Sequence, residues 1–111
     1  VPPQTIAGSA DARYTDWFDA LKHLEFEVDS REFDVAIIGC GAYGFPLASH
    51  VKRSGRQAIH GGGMVQMLFG IKGKRWDLQP ISKELYNSSW IRPSMEERPE
   101  HANEVENGCY W

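Results

Sequence analysis

Three groups of residues have types and spacings suited to holding a small molecule. The first is Gly39-x-Gly41-x-x-Gly44, placed directly after a β-branched apolar run and directly before a helical pattern. In that setting Gly39 and Gly41 let the backbone turn tightly toward a phosphate, Gly44 allows helix and strand to approach, and the helix start offers free N–H groups. The second group is His60-Gly61-Gly62-Gly63. Three successive glycines lose much conformational freedom on ordering, so they are most useful where backbone must pass close to something. His60 at the head of this group is a candidate acid–base residue or phosphate donor, or a hydrogen-bonded structural histidine. The third group is Lys72, Lys74 and Arg75 beside Trp76. These cations could clamp a diphosphate while the indole stacks on a base, or they could form a solvated loop.

Other chemistries are weaker fits. Gly73-Lys74 has part of a P-loop, but Leu68 stands where its first glycine belongs and Arg75 where Ser or Thr would bind magnesium. Cys40 lies in a glycine loop at a helix start, a place that can activate a thiol, although a small buried residue is the simpler role. His23, His50, His60 and His101 lack metal-ligand spacing, and no metal site is expected. A dinucleotide fold also asks for an acid about 20 residues beyond the glycines. Here the region reads Ala58-Ile59-His60-Gly61, which argues against a nicotinamide cofactor.

The elements that would position these groups follow from periodicity. Tyr14, Trp17, Phe18, Leu21, Leu24 and Val28 recur at helical steps, with Asp11 or Thr15 as the expected cap. Phe33–Gly39 reads as a strand buried on both faces of a parallel sheet. Leu47, Ala48 and Val51 continue as a helix, with Pro46 in its first turn and Gly55 as its left-handed stop. Arg56–His60 returns as a second strand, so 34–60 reads as β-α-β and both glycine loops should open on one crevice. Met64–Phe69 is expected to be a short helix, and Ile81–Tyr86 one or two helical turns. The fold class is α/β: a small Rossmann-like module with a short parallel sheet and flanking helices. It should form one domain over 1–111, with an extended lead-in at 1–10 and an irregular acidic tail at 88–111. The apolar Gly108-Cys109-Tyr110-Trp111 end should pack on the body or on a partner.

Charge supports an anionic ligand. The net charge of −3 is segregated: 1–34 carries eight acids and three bases, 35–76 no acids and six bases, and 77–111 seven acids and three bases. Burial explains missing acids but not retained cations, so the middle block is the expected border of an anion site. Nucleic acid is not an expected partner, because acidic segments flank the patch. The longest apolar run, around Val35–Cys40, is far shorter than the roughly 18 residues of a membrane span. With two cysteines and no disulfide framework, a reducing cytoplasmic setting is expected.

The segment DVAIIGCGAYGFPLASHVKRSGRQAIHGGGMVQMLFGIKGKRW at 34–76, with the WFDAL helix before it and the GCYW end after it, resembles the carboxyl-terminal part of uncharacterised bacterial proteins linked to surface-polysaccharide genes. The same arrangement is distantly similar to glycosyltransferase domains of the GT-D type. That resemblance implies a nucleotide-sugar ligand and glycosyl transfer as the reaction; the residues read above as the site for a phosphorylated or nucleotide-sugar ligand are Gly39, Gly41, Gly44, His60, Gly61, Gly62, Gly63, Lys72, Lys74 and Arg75. The Asp-x-Glu metal motif of those transferases does not occur in this chain, so the resemblance carries over no metal. A detached half of an open sheet would expose an edge, which implies a homodimer through the Trp-rich helix or Tyr110-Trp111. The contrasting expectation is a non-catalytic homo-oligomeric interaction module, in which the glycines serve packing and the basic loop docks an acidic segment.

Overall fold

A computed structural model describes residues 13–111. The expected lead-in at 1–10 and the candidate cap Asp11 lie outside the described residues. The protein is mixed α/β, with one two-stranded parallel sheet and helices, and it divides into two compact units, 13–65 and 66–111.

The first unit opens with α1 (Trp17–Asp29). Its cap is Asp16, whose carboxylate accepts from Asp19 N at 2.8 Å, while the Asp19 carboxylate accepts from Thr15 N at 3.1 Å. This reciprocal pair satisfies amides at the helix start, and it replaces the expected Thr15 cap with the next residue along. β1 (Val35–Ile38) and β2 (Gln57–His60) pair in parallel with Ile37 opposite Ile59 and Ile38 opposite His60. Between them runs α2 (Gly44–Arg53), with His50, Lys52 and Arg53 at its negative end and Gly55 in a left-handed conformation just beyond. The core is Ile38, Leu47 and Val51, with Leu24 and Val28 from α1 and Ala36, Ala48 and Ala58 packed against it.

β1 is not buried on both faces, contrary to the sequence expectation. Helices cover the side bearing Ala36, Ile38 and Ala58, whereas Val35, Ile37 and Ile59 on the other side are 43%, 56% and 57% exposed. A continuous apolar run suits a strand covered on both sides, but here the side chains of one sheet face are largely exposed.

An electrostatic clasp closes the end of this unit remote from the glycines. His50 of α2 donates through Nε2 to Asp29 at 2.9 Å, and its Nδ1 lies 3.5 Å from Glu25. Arg56 donates to Asp29 at 2.6 Å and to the Val28 and Arg31 carbonyls at 3.2 and 3.4 Å, so it caps the carboxyl end of α1. The His50 hydrogen bond, assisted by Arg56 and opposed by desolvation, holds the Asp29 carboxyl below its ordinary value. A lowered carboxyl contributes stability above its unfolded value of about 3.9, and that contribution is lost as pH falls through the folded value. Urea midpoints should therefore drop below about pH 4, and Asp29→Asn should flatten that part of the profile. An unchanged acid limb in the variant would remove the clasp from the account.

The second unit is held mainly by loops. Its boundary falls within α3 (Val65–Leu68), and it contains one further helix, α4 (Pro80–Leu85), with Pro80 in its first turn. Ile71 and Ile91 form a parallel bridge, with Lys72 N donating to Ile91 O at 2.7 Å and Ile91 N to Gly70 O at 3.0 Å. Arg92 pairs with Asp77 at 2.6 Å. The tail is largely irregular, with short 3₁₀ turns at Ala102–Glu104 and Glu106–Gly108. Its last residues pack back on the unit, where Arg75 N donates to Cys109 O at 2.8 Å. Among the described residues no helix is long and apolar enough to cross a membrane.

Candidate functional site

The two glycine loops are built alike and lie side by side. Each strand ends on a paired residue, Ile38 or His60, and is followed by a glycine, Gly39 or Gly61; Gly61 N donates to Ile38 O at 3.0 Å and carries the ladder one step further. Gly41 and Gly62 then adopt φ values of 52° and 53°. Nothing lies within 4 Å of the Cβ either would carry, so glycine is required there by conformation and not by crowding. Each loop next makes a 3₁₀ turn, Gly41–Tyr43 or Gly62–Met64, and runs into α2 or α3. The two loops lie against each other: a Cβ at Gly39 would sit 2.9 Å from Gly62 O.

The other glycines are explained by packing. A Cβ at Gly39 would lie 2.6 Å from Val65 Cβ, and one at Gly61 would lie 2.9 Å from Val65 Cγ2. Val65 therefore seats between the strand ends, a contact that the sequence pattern did not reveal. Gly44 is glycine because the His60 ring occupies the adjacent space; a Cβ there would fall 2.6 Å from Nδ1. His60 Nδ1 donates to Ile38 O at 3.3 Å, and Phe45 meets the ring edge-on at 5.1 Å. These contacts give His60 a packing role at the foot of the turn. Tyr43 is buried and stacks on Trp17 at 5.3 Å, which ties the first turn to α1.

Electrostatically, both turns are bare. The segments 39–45 and 60–65 contain no Asp, Glu, Lys or Arg. An anion there would meet backbone amides and the start of a ten-residue helix. Burial pushes the Cys40 thiol up from its ordinary pKa, the opposite of what a nucleophilic thiolate needs. Among the described residues no three His, Cys, Asp or Glu side chains gather to hold a metal ion.

The cations grouped with these turns at the sequence level belong to the second unit, and each is engaged there. Lys72 Nζ lies 5.3 Å from the Tyr86 ring centre. Lys74 Nζ donates to Asn107 O at 3.5 Å. Arg75 pairs with Glu106 and donates to the Tyr110 hydroxyl at 3.0 Å. Sequence reading missed Glu106 and Tyr110 as partners of Arg75 because they lie more than thirty positions away; the one available signal was the apolar chain end, which had to pack somewhere. Comparison with protein-family models, curated proteins and solved structures finds no match.

Proposed function

We propose that this chain is a Rossmann-like module that takes a phosphorylated small ligand of the nucleotide-sugar class at the paired glycine turns beyond β1 and β2. One observation carries this reading: two adjacent parallel strands each end in a glycine, a left-handed glycine and a 3₁₀ turn into a helix. Open α/β sheets take ligands at the carboxyl ends of their strands, where backbone can approach a phosphate closely. The absence of carboxylates from both turns fits an anion. Glycosyl transfer is the reaction that the resemblance to GT-D domains attaches to such a ligand. The free cysteines suit a reducing, cytoplasmic setting.

Substitution at Gly41 tests this directly, because Asn and Asp both tolerate a positive φ and the space around the position is open. Gly41→Asn should bind a UDP-sugar within a few-fold of the native chain, while Gly41→Asp should bind at least about tenfold more weakly. Equal affinity of the two variants by calorimetry would contradict a phosphate at this turn.

The uncovered sheet face favours a second reading, a homo-oligomeric interaction module. Val35, Ile37 and Ile59 form an uncharged apolar strip on a sheet with unpaired edges among the described residues. Light scattering at micromolar concentration should then report a dimer that Ile37→Lys separates; a monomer mass for the native chain removes this reading.

A further inference from the structure

The last 3₁₀ turn of the chain holds a reactive pair of residues, apart from the glycine turns. Of the three asparagines, Asn87, Asn103 and Asn107, only Asn107 precedes a glycine. The side-chain amide carbon of an asparagine is open to attack by the main-chain nitrogen of the next residue. Glycine hinders that attack least, because it carries no side chain and leaves the backbone free to rotate. Both members of the pair are dictated by the turn. Glu106, Asn107 and Gly108 have φ values of 48°, 56° and 68°, a region that asparagine tolerates and glycine enters freely. A Cβ at Gly108 would also lie 2.9 Å from Asn103 Oδ1 and 3.1 Å from Arg98 Nη2.

The same turn disarms the pair it requires. At a ψ of 34°, the Asn107 Cβ stands nearly opposite Gly108 N about the Cα–C bond. Closing a succinimide ring needs the two nearly eclipsed, and a reaction between neighbouring groups depends on such alignment. The Gly108 N–H, which must give up its proton, is held in a hydrogen bond to Val105 O at 2.9 Å. The turn is in turn fastened to the basic loop. Arg75 pairs with Glu106, Lys74 Nζ donates to Asn107 O at 3.5 Å and Arg75 N donates to Cys109 O at 2.8 Å. The Arg75–Glu106 pair is open to water, with side-chain exposures of 34% and 57%, and exposed pairs contribute little. A segment held this way opens locally at far less cost than the core.

We propose that Asn107–Gly108 is a self-modification site, guarded while 106–111 lies on the basic loop and reactive once that segment lifts away. With ψ free to rotate, Gly108 N bonds to Asn107 Cγ, the Cγ–Nδ2 bond breaks, and ammonia leaves with the proton from Gly108 N. Solvent water then opens the ring at either carbonyl, giving aspartate or isoaspartate. Each product carries a carboxylate where the amide stood, beside that of Glu106. Isoaspartate also routes the main chain through Cβ and lengthens it by one carbon, so the left-handed turn cannot re-form and the segment stays off the loop.

The test incubates the full chain in mildly alkaline buffer, with and without urea, and follows Asn107 by peptide mass spectrometry with chromatographic separation of isoaspartate. In urea Asn107 should convert while Asn87 and Asn103 stay intact, and the folded chain should convert at least about tenfold more slowly. Arg75→Gln, which frees the turn from the loop, should speed conversion of the folded chain about fivefold. Exchange of the Tyr86 amide, bonded to Ser82 O within the second unit, checks that this variant remains folded; if it does not, Glu106→Gln breaks the same pair from the other side and should give the same acceleration. The isolated isoaspartate form should exchange its Arg75 amide faster than the native chain. No conversion in urea, equal rates in the folded and unfolded chains, no acceleration in a folded variant, or an Arg75 amide still protected in the isoaspartate form would each overturn the proposal.

Discussion

Gly44→Ala is expected to destabilise the first unit by about 1–3 kcal/mol, the usual cost of forcing a methyl into a filled space. The added carbon would fall 2.6 Å from His60 Nδ1, so the ring would have to shift, giving up its bond to Ile38 O and its edge contact with Phe45. His60→Ala opens that space. The double variant should recover most of the loss, giving a coupling well above the roughly 0.5 kcal/mol seen for independent sites. Urea unfolding of the four proteins measures it. Strictly additive effects would mean that Gly44 is glycine for another reason, such as close approach to a ligand.

The second large effect contrasts neighbouring residues of β1. Ile38 is 6% exposed and sits in the core with Leu47 and Val51. Ile38→Ala should cost about 2–5 kcal/mol, from lost burial and the cavity it leaves. Ile37 points to the uncovered face, and Ile37→Ala in a monomer should cost under about 1 kcal/mol. A large, concentration-dependent loss for Ile37→Ala would instead show that another copy covers this face. Comparable losses independent of concentration would contradict the one-sided sheet.

The parts of the fold legible in the sequence are those governed by local pattern. The three- and four-residue steps of Trp17, Leu21, Leu24 and Val28 identified α1, and the run ending at Gly39 identified β1. Met64–Phe69 contains the short helix α3, Ile81–Tyr86 overlaps α4, which starts one residue earlier at Pro80, and Gly55 stops α2 as expected. What local pattern did not reveal depends on distance along the chain. Apolar composition alone does not say how many strands flank β1, so burial on both faces was expected where the structure covers one. The glycines of the first turn look equivalent in sequence, yet Gly41 answers a backbone angle, Gly44 a histidine ring and Gly39 a valine. The cations of 72–75 suggested a shared phosphate site with the turns because they close a stretch, 35–76, that contains no acid; Glu106 reaches Arg75 only through the fold.

These distinctions change what the glycine signature implies. Gly39, Gly44 and Gly61 would be needed for packing even without a ligand, so their presence is weak support for one. Gly41 and Gly62 face open space in left-handed conformations, and the binding proposal rests on them.

Calorimetry of the native chain with UDP, GDP, UDP-sugars and NAD, with and without manganese, tests the proposal most directly. The account predicts saturable binding of a sugar nucleotide in preference to NAD, given the absence of an acid at the end of β2. No heat from any of them, with a chain that still unfolds cooperatively in urea, would contradict it.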